Sequence, residues 1–304
     1  MTHKTKLASP LGAVTSIALA LCLFSSEPAS GRSTTQPEGP VTGEVGDLRA
    51  QSWRVGVPAD RQGDRLLLDV DTYRPTGSGP FPLVVINHGA ALDAPTDGPW
   101  DYRPDAAIRW FVSRGYAVAV PVRRGYGLSE GKRVVLGDCD APDYLIGGNT
   151  VAQDILAVVD YFRQQPFIDA DQVILVGHSL GGAGSLVAAG RHPEGVLGVV
   201  AFAPGAGRVR PGLICRLDLL EKAFEDFGAG DSIPALWIYT ENDGYFSPEI
   251  AQRLFKAYGK GAHAFQRLEI LPSTDHNDHD LFLRDDGAST WGLVVEHFLD
   301  QIVH

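Results

Sequence analysis

Cysteine is scarce in this chain, with three residues in 304. None sits in a Cys-x-x-Cys pair, which excludes the usual thiolate-rich zinc centre. Basic residues are also in short supply: 26 Lys and Arg face 37 Asp and Glu, a formal net charge of −11. Proteins that bind nucleic-acid polymers draw affinity from Lys and Arg neutralising phosphates, so no nucleic-acid partner is expected. Long apolar runs are missing as well. The run Leu11–Phe24, inside the uncharged stretch Leu7–Ser26, falls short of the roughly 20 residues a membrane-spanning helix needs. There is no internal repeat.

That short run has a different reading. Lys4 and Lys6 precede it, and the small residues Ala29, Ser30 and Gly31 follow, as in a secretory signal. Residues 1–30 are therefore expected to be a signal peptide, and the product to be exported, periplasmic or secreted, with no stable membrane insertion once the signal is removed. Cys22 lies inside the run, but Leu21 before it is too bulky for the usual lipoprotein signal. Residues 31–50, rich in Gly, Pro, Thr and Ser, read as a flexible linker, and residues 51–304 as one domain. Cys139 and Cys215 remain, an even pair that can form a disulfide in an oxidising compartment; two buried thiols are the alternative.

Hydrophobic residues make up 44% of the chain, enough for a substantial core. Alternation over Leu66–Tyr73 predicts an early strand, stopped by Arg74-Pro75. The continuous runs Leu83–Ile86, Ala117–Val120, Val173–Val176, Val196–Phe202 and Ala235–Tyr239 fit strands buried on both faces, as in a parallel sheet. Between them, 104–114, 149–165, 180–191, 248–258 and 290–303 carry helical periodicity. Alternating strands and helices predict an α/β fold with a mostly parallel central sheet and helices on both faces.

The segment that carries chemistry is Gly177-His178-Ser179-Leu180-Gly181, a Gly-x-Ser-x-Gly placed between a Val/Ile/Leu strand and a helix that starts with small residues. The flanking glycines remove side chains where backbones approach closely, and the turn lifts a serine hydroxyl to a helix N-terminus, where free N–H groups favour negative charge. With Ile86-Asn87-His88-Gly89, Pro121–Gly127, Tyr239–Asp243 and His279–Phe282 in the same order, the chain resembles the α/β-hydrolases over roughly residues 60–302, and within them the dienelactone-hydrolase-like branch. The resemblance implies a hydrolase that works through an acyl-enzyme without a cofactor or metal.

A serine hydroxyl needs a base, usually His oriented by a carboxylate, and in this fold the chain order is Ser, acid, His. Asp243 follows the Ala235–Tyr239 strand and precedes Gly244, which lets the chain turn; it resembles the family acid, with Glu241 as local rival. His279, followed by Leu281-Phe282, matches the family's His position, although Asp280 stands where Gly is usual; His276 is the rival. The cluster 275–280 also has residue types that ligate metals, but a serine-centred site accounts for the pattern without an ion. His178 is read as a packing or supporting residue, and His192, His263 and His297 as surface or core fillers. An oxyanion hole needs two N–H donors: Leu180, after the serine, and by resemblance Ala90, with Gly89 allowing the turn. His88, Arg124 and Tyr126 are candidates for a substrate-pocket wall, against a reading in which Arg123 and Arg124 hold loops through ion pairs. Insertions 128–148 and 205–232 are expected to roof the site, joined to one another if Cys139 and Cys215 are paired. The leading function is hydrolysis of a small-molecule carboxylic ester; exported peptidase, acyl transfer on the same residues, and an inactive binding module are the alternatives.

Overall fold

A computed structural model describes residues 37–59, 63–91, 93–210, 213–273 and 277–303. The chain enters through β1 (Gly39–Pro40), β2 (Gln51–Pro58), β3 (Arg65–Tyr73) and β4 (Phe81–Asn87). It continues through α1 (Asp105–Val112), β5 (Ala117–Pro121), α2 (Tyr144–Arg163), β6 (Ile168–His178), α3 (Leu180–Ala189) and β7 (Val196–Phe202). After a small ribbon, β8 (Arg208–Arg210) with β9 (Leu213–Ile214), come α4 (Leu217–Gly228), β10 (Ala235–Thr240), α5 (Pro248–Tyr258) and β11 (Gln266–Leu271). A 3-10 segment, Asp278–Leu283, leads into α6 (Gly287–Ile302).

The main sheet has nine strands in the order β1-β2-β3-β5-β4-β6-β7-β10-β11. The β1-β2-β3-β5 pairings are antiparallel; from β5 to β11 every pairing is parallel. The fold is therefore α/β with a mostly parallel central sheet, and the apolar runs show why. Side chains of a strand alternate between faces. Leu83, Val85, Val173, Leu175, Val199, Ala201 and Trp237 enter one core, with Ile155 of α2, Leu186 of α3, Phe224 of α4 and Leu254 of α5. Val84, Ile86, Ile174, Val176, Val200, Phe202 and Ile238 enter the other, with Phe111 of α1 and Trp291 and Phe298 of α6. A run that must satisfy both cores has no room for polar residues, which is why it reads as continuous.

Two elements differ from the pattern expected of the sequence. Helix α2 begins at Tyr144, five residues before the expected Asn149, because Asp143 caps it: its side chain accepts the Ile146 N–H at 2.9 Å. The described part of the segment read as a linker, residues 37–50, joins the sheet edge. Gly39 and Pro40 pair with Arg54 and Trp53, and Arg49 binds Glu44. The signal segment lies outside the described residues. Cys139 and Cys215 form a disulfide, with Cα atoms 4.8 Å apart across a sequence separation of 76. It ties the chain just before α2 to the chain just before α4. No helix among the described residues is long and apolar enough to cross a membrane.

Candidate active site

Strand β6 runs straight into α3 through Ser179, whose φ of 54° and ψ of −120° are adopted by few L-residues. The surroundings fix this turn. Ser179 N–H donates to Phe202 O at 2.9 Å, and Ser179 O accepts from Ala183 N at 3.0 Å and Gly205 N at 3.3 Å. A Cβ on Gly177 would lie 2.3 Å from Gly181 O, and one on Gly181 would lie 2.2 Å from Asn87 O. Both glycines are thus required by close backbone approach. The serine side chain is half-buried, and Leu180, the first residue of α3, has a backbone N–H with no partner inside the helix. The loop after β4 passes alongside: a Cβ on Gly89 would come within 3.0 Å of Ser179 Cβ. Ala90, next along that loop, is exposed.

Asp243 lies three residues past β10 and His279 lies in the 3-10 segment beyond β11, so both reach the edge of the sheet where Ser179 sits. His279 Nδ1 is 3.1 and 3.0 Å from the two oxygens of Asp243. A carboxylate only accepts, so Nδ1 carries the proton and Nε2 of the neutral ring is left with its lone pair. Asp243 Oδ1 also accepts the N–H groups of Tyr245 at 2.8 Å and Phe246 at 3.0 Å. Asn277 Oδ1 accepts from His279 N and from Gly244 N, joining the two loops. The His279 ring is enclosed by Tyr245, Phe246 and His178, with centroids 4.3, 5.7 and 4.9 Å away. Among the described residues no hydrogen bond joins Ser179 Oγ to the imidazole. Such contacts are often long in substrate-free sites and tighten on binding.

The rival carboxylate, Glu241, is exposed and accepts from Ser273 N at 3.3 Å, away from the imidazole. The rival His276 lies outside the described residues. His178, His279 and Asp280 bring potential metal-ligand atoms within 4.8 Å of one another, but His178 Nε2 is engaged with the His279 carbonyl and His279 Nδ1 with Asp243.

His88, Arg124 and Tyr126, the candidates for a pocket wall, are all buried in the structure. Arg124 is 3% exposed and holds Asp154 of α2 and the carbonyl of Pro58. His88 is fully buried; its Nδ1–H donates to Gly89 O at 2.7 Å and its Nε2 accepts Arg123 N–H at 3.0 Å. Burial, with the nearby Arg123 charge, pushes its pKa well below the usual histidine value, so it stays neutral. Tyr126 is stacked on Trp100 at 5.5 Å and edge-on to His88 at 4.8 Å. Arg123, read from sequence as a residue that holds loops, does so through a partner that the sequence did not name: its guanidinium donates to Gly89 O at 2.8 Å and so braces the loop beside Ser179. Two adjacent arginines directly after a buried strand were the available signal.

Known proteins resemble this chain at two levels. Residues 63–217, just over half of the 304, match the X-Pro dipeptidyl-peptidase (S15) family; Asp243 and His279 lie beyond that stretch. Human monoglyceride lipase is 28% identical over 132 residues, 43% of this chain and 37% of the lipase. The quorum-quenching protein AidA of Acinetobacter baumannii (strain MDR-ZJ06) is 30% identical over 132 residues, 43% of this chain and 38% of AidA. The match thus spans under two-fifths of either relative. Among solved structures, the Pyrococcus furiosus esterase Pf2001 superposes with a TM-score of 0.57 at 16% identity, covering 88% of this chain and 99% of the esterase. A family match over the whole β3-to-α3 stretch that builds the serine turn settles descent: the chain belongs to the X-Pro dipeptidyl-peptidase (S15) family and carries the α/β-hydrolase fold.

Proposed function

We propose that this protein is an exported serine hydrolase that cleaves small-molecule carboxylic esters through an acyl-enzyme on Ser179. The reading is carried by the buried His279–Asp243 pair, whose side chains are 4% and 0% exposed, at the same sheet edge as the serine turn. Ser179 Oγ attacks the ester carbonyl while His279 Nε2 takes its proton. Asp243 holds the ring in the tautomer that leaves Nε2 free and stabilises the imidazolium that forms. The N–H groups of Leu180 and Ala90 receive the charge on the tetrahedral oxygen. The imidazolium returns its proton to the leaving alcohol, and water, deprotonated by the same ring, releases the acid. Export is supported by the basic-then-apolar N-terminal segment and by the Cys139–Cys215 disulfide, a bond that persists in oxidising compartments.

A fluorophosphonate probe tests the central step: the folded protein should be labelled, and Ser179→Ala should abolish labelling. Labelling that survives the substitution, or none in the parent protein, would end the proposal. Family membership favours one second reading, cleavage after a penultimate proline. Rates on p-nitrophenyl esters against Xaa-Pro-p-nitroanilides separate the two: the ester reading expects turnover of the first series and little of the second.

A further inference from the structure

His178 occupies the variable position between Gly177 and Ser179, where the turn itself makes no demand on the side chain. It is nevertheless 4% exposed. Its Nε2 lies 2.8 Å from the carbonyl oxygen of His279, 101 residues further along. A carbonyl only accepts, so Nε2 carries the ring proton. The ionisable groups facing the ring are His279, Asp243, His88 and the half-exposed Asp280, whose carboxylate is 3.7 Å from Nε2. Burial, reinforced by His279, pushes the pKa of His178 down to about 3, so the neutral donor form persists near neutral pH.

The placement of this bond matters more than its strength. Strands β6 and β11 are separated in the sheet by β7 and β10, so no ladder hydrogen bond connects the chain at Ser179 to the chain at His279. Asp243 fixes the rotation of the His279 ring, and Asn277 accepts from its amide. Neither refers its position to the serine turn. The His178 bond does, because its donor is the residue covalently joined to Ser179.

We infer that His178 is a positioning residue, which sets the distance from the His279 imidazole to the Ser179 hydroxyl by holding the His279 carbonyl from the serine turn. The inference rests on the proposed Ser179–His279 chemistry. A glutamine amide nitrogen falls near the place of Nε2, whereas an asparagine amide reaches only to the place of Nδ1. The two side chains are alike in polarity, so they separate the donor's location from general packing.

The test compares His178→Gln, His178→Asn and His178→Leu with the parent protein on p-nitrophenyl acetate, with thermal midpoints to confirm folding. A displaced base lowers kcat with little effect on ground-state binding, so the Asn and Leu variants should lose roughly 10- to 100-fold in kcat with KM within about twofold. The rate of fluorophosphonate inactivation should fall in parallel, while His178→Gln stays within about threefold of the parent in both. If the Leu variant does not fold, the Gln–Asn contrast carries the test. Equal loss in Gln and Asn, or parent-like kcat in Asn, overturns the positioning role. Ser179→Ala and His279→Ala serve as references. Should they retain activity, the triad reading fails; should they lose it while Asn matches the parent, only the role of His178 fails.

Discussion

The two oxygens of Asp243 are not equivalent. Oδ1 accepts from Tyr245 and Phe246 N–H groups, both of which need a lone pair, so only an oxygen suits that place. In Asp243→Asn the amide oxygen would stay there and the NH2 would face His279 Nδ1. The ring would then carry its proton on Nε2, where it cannot accept one from serine. Activity on a p-nitrophenyl ester is expected to fall on the order of 10³–10⁴-fold with the fold retained; a loss of under about tenfold would contradict an orienting role. Arg124 teaches the opposite lesson. Its sequence position admits both a pocket wall and an ion pair, but its partner is Asp154, 30 residues on, and a buried pairing across that distance leaves no mark in local pattern. The sequence favours Asp243 over Glu241 through its resemblance to the family acid and the local turn at Gly244, and it is Asp243 that lies against His279 Nδ1. Sequence reasoning could not see that Arg123 braces Gly89, because that depends on how two loops meet.

At the scale of elements, the disulfide joins two segments that the nine-stranded central sheet does not pair. Tyr144, near the start of α2, donates its hydroxyl to the Cys215 carbonyl, and Arg216 reaches the Asp140 carbonyl at 3.1 Å, so the same junction is held three ways. Replacing both cysteines by serine should lower unfolding free energy by about 2–4 kcal/mol, through the freedom regained by the unfolded chain. Urea titration reads this, and an unchanged midpoint would mean that the polar contacts alone suffice. The strands and most helices were legible because period-2 and period-3.6 patterns are local and redundant. The early start of α2 was not, since Gly147 and Gly148 interrupt the helical signal and the cap at Asp143 outweighs them. Helix α4 lay hidden within an expected insertion, although Leu220 and Phe224 dock it on the core.

Across the whole molecule, two neutral buried histidines shape the response to acid. An unfolded chain takes up protons on His88 and His178 as pH falls through 6.5, while the folded state refuses them, in the case of His178 down to about 3. Their stabilising effect is therefore complete above pH 6.5 and is lost on acidification, at up to about 1.4 kcal/mol per pH unit for each histidine. Asp69 and Asp154, whose pKa values burial raises, act in the opposite direction, so the comparison with a variant is the cleaner measurement. Urea unfolding at several pH values between 6.5 and 4.5 should show a shallower decline in His178→Gln than in the parent protein. Identical slopes would mean that His178 is protonated in the folded state.

The backbone at Ser179 has one more implication. A residue with a side chain at φ 54° and ψ −120° sits in territory suited to glycine, at a cost of about 1–3 kcal/mol. Stability alone would therefore favour glycine, which has no side chain to strain; under the proposed mechanism, selection for turnover keeps the serine there. Drift in a lineage released from that selection should reach this position early, leaving relatives that are sturdier and chemically silent.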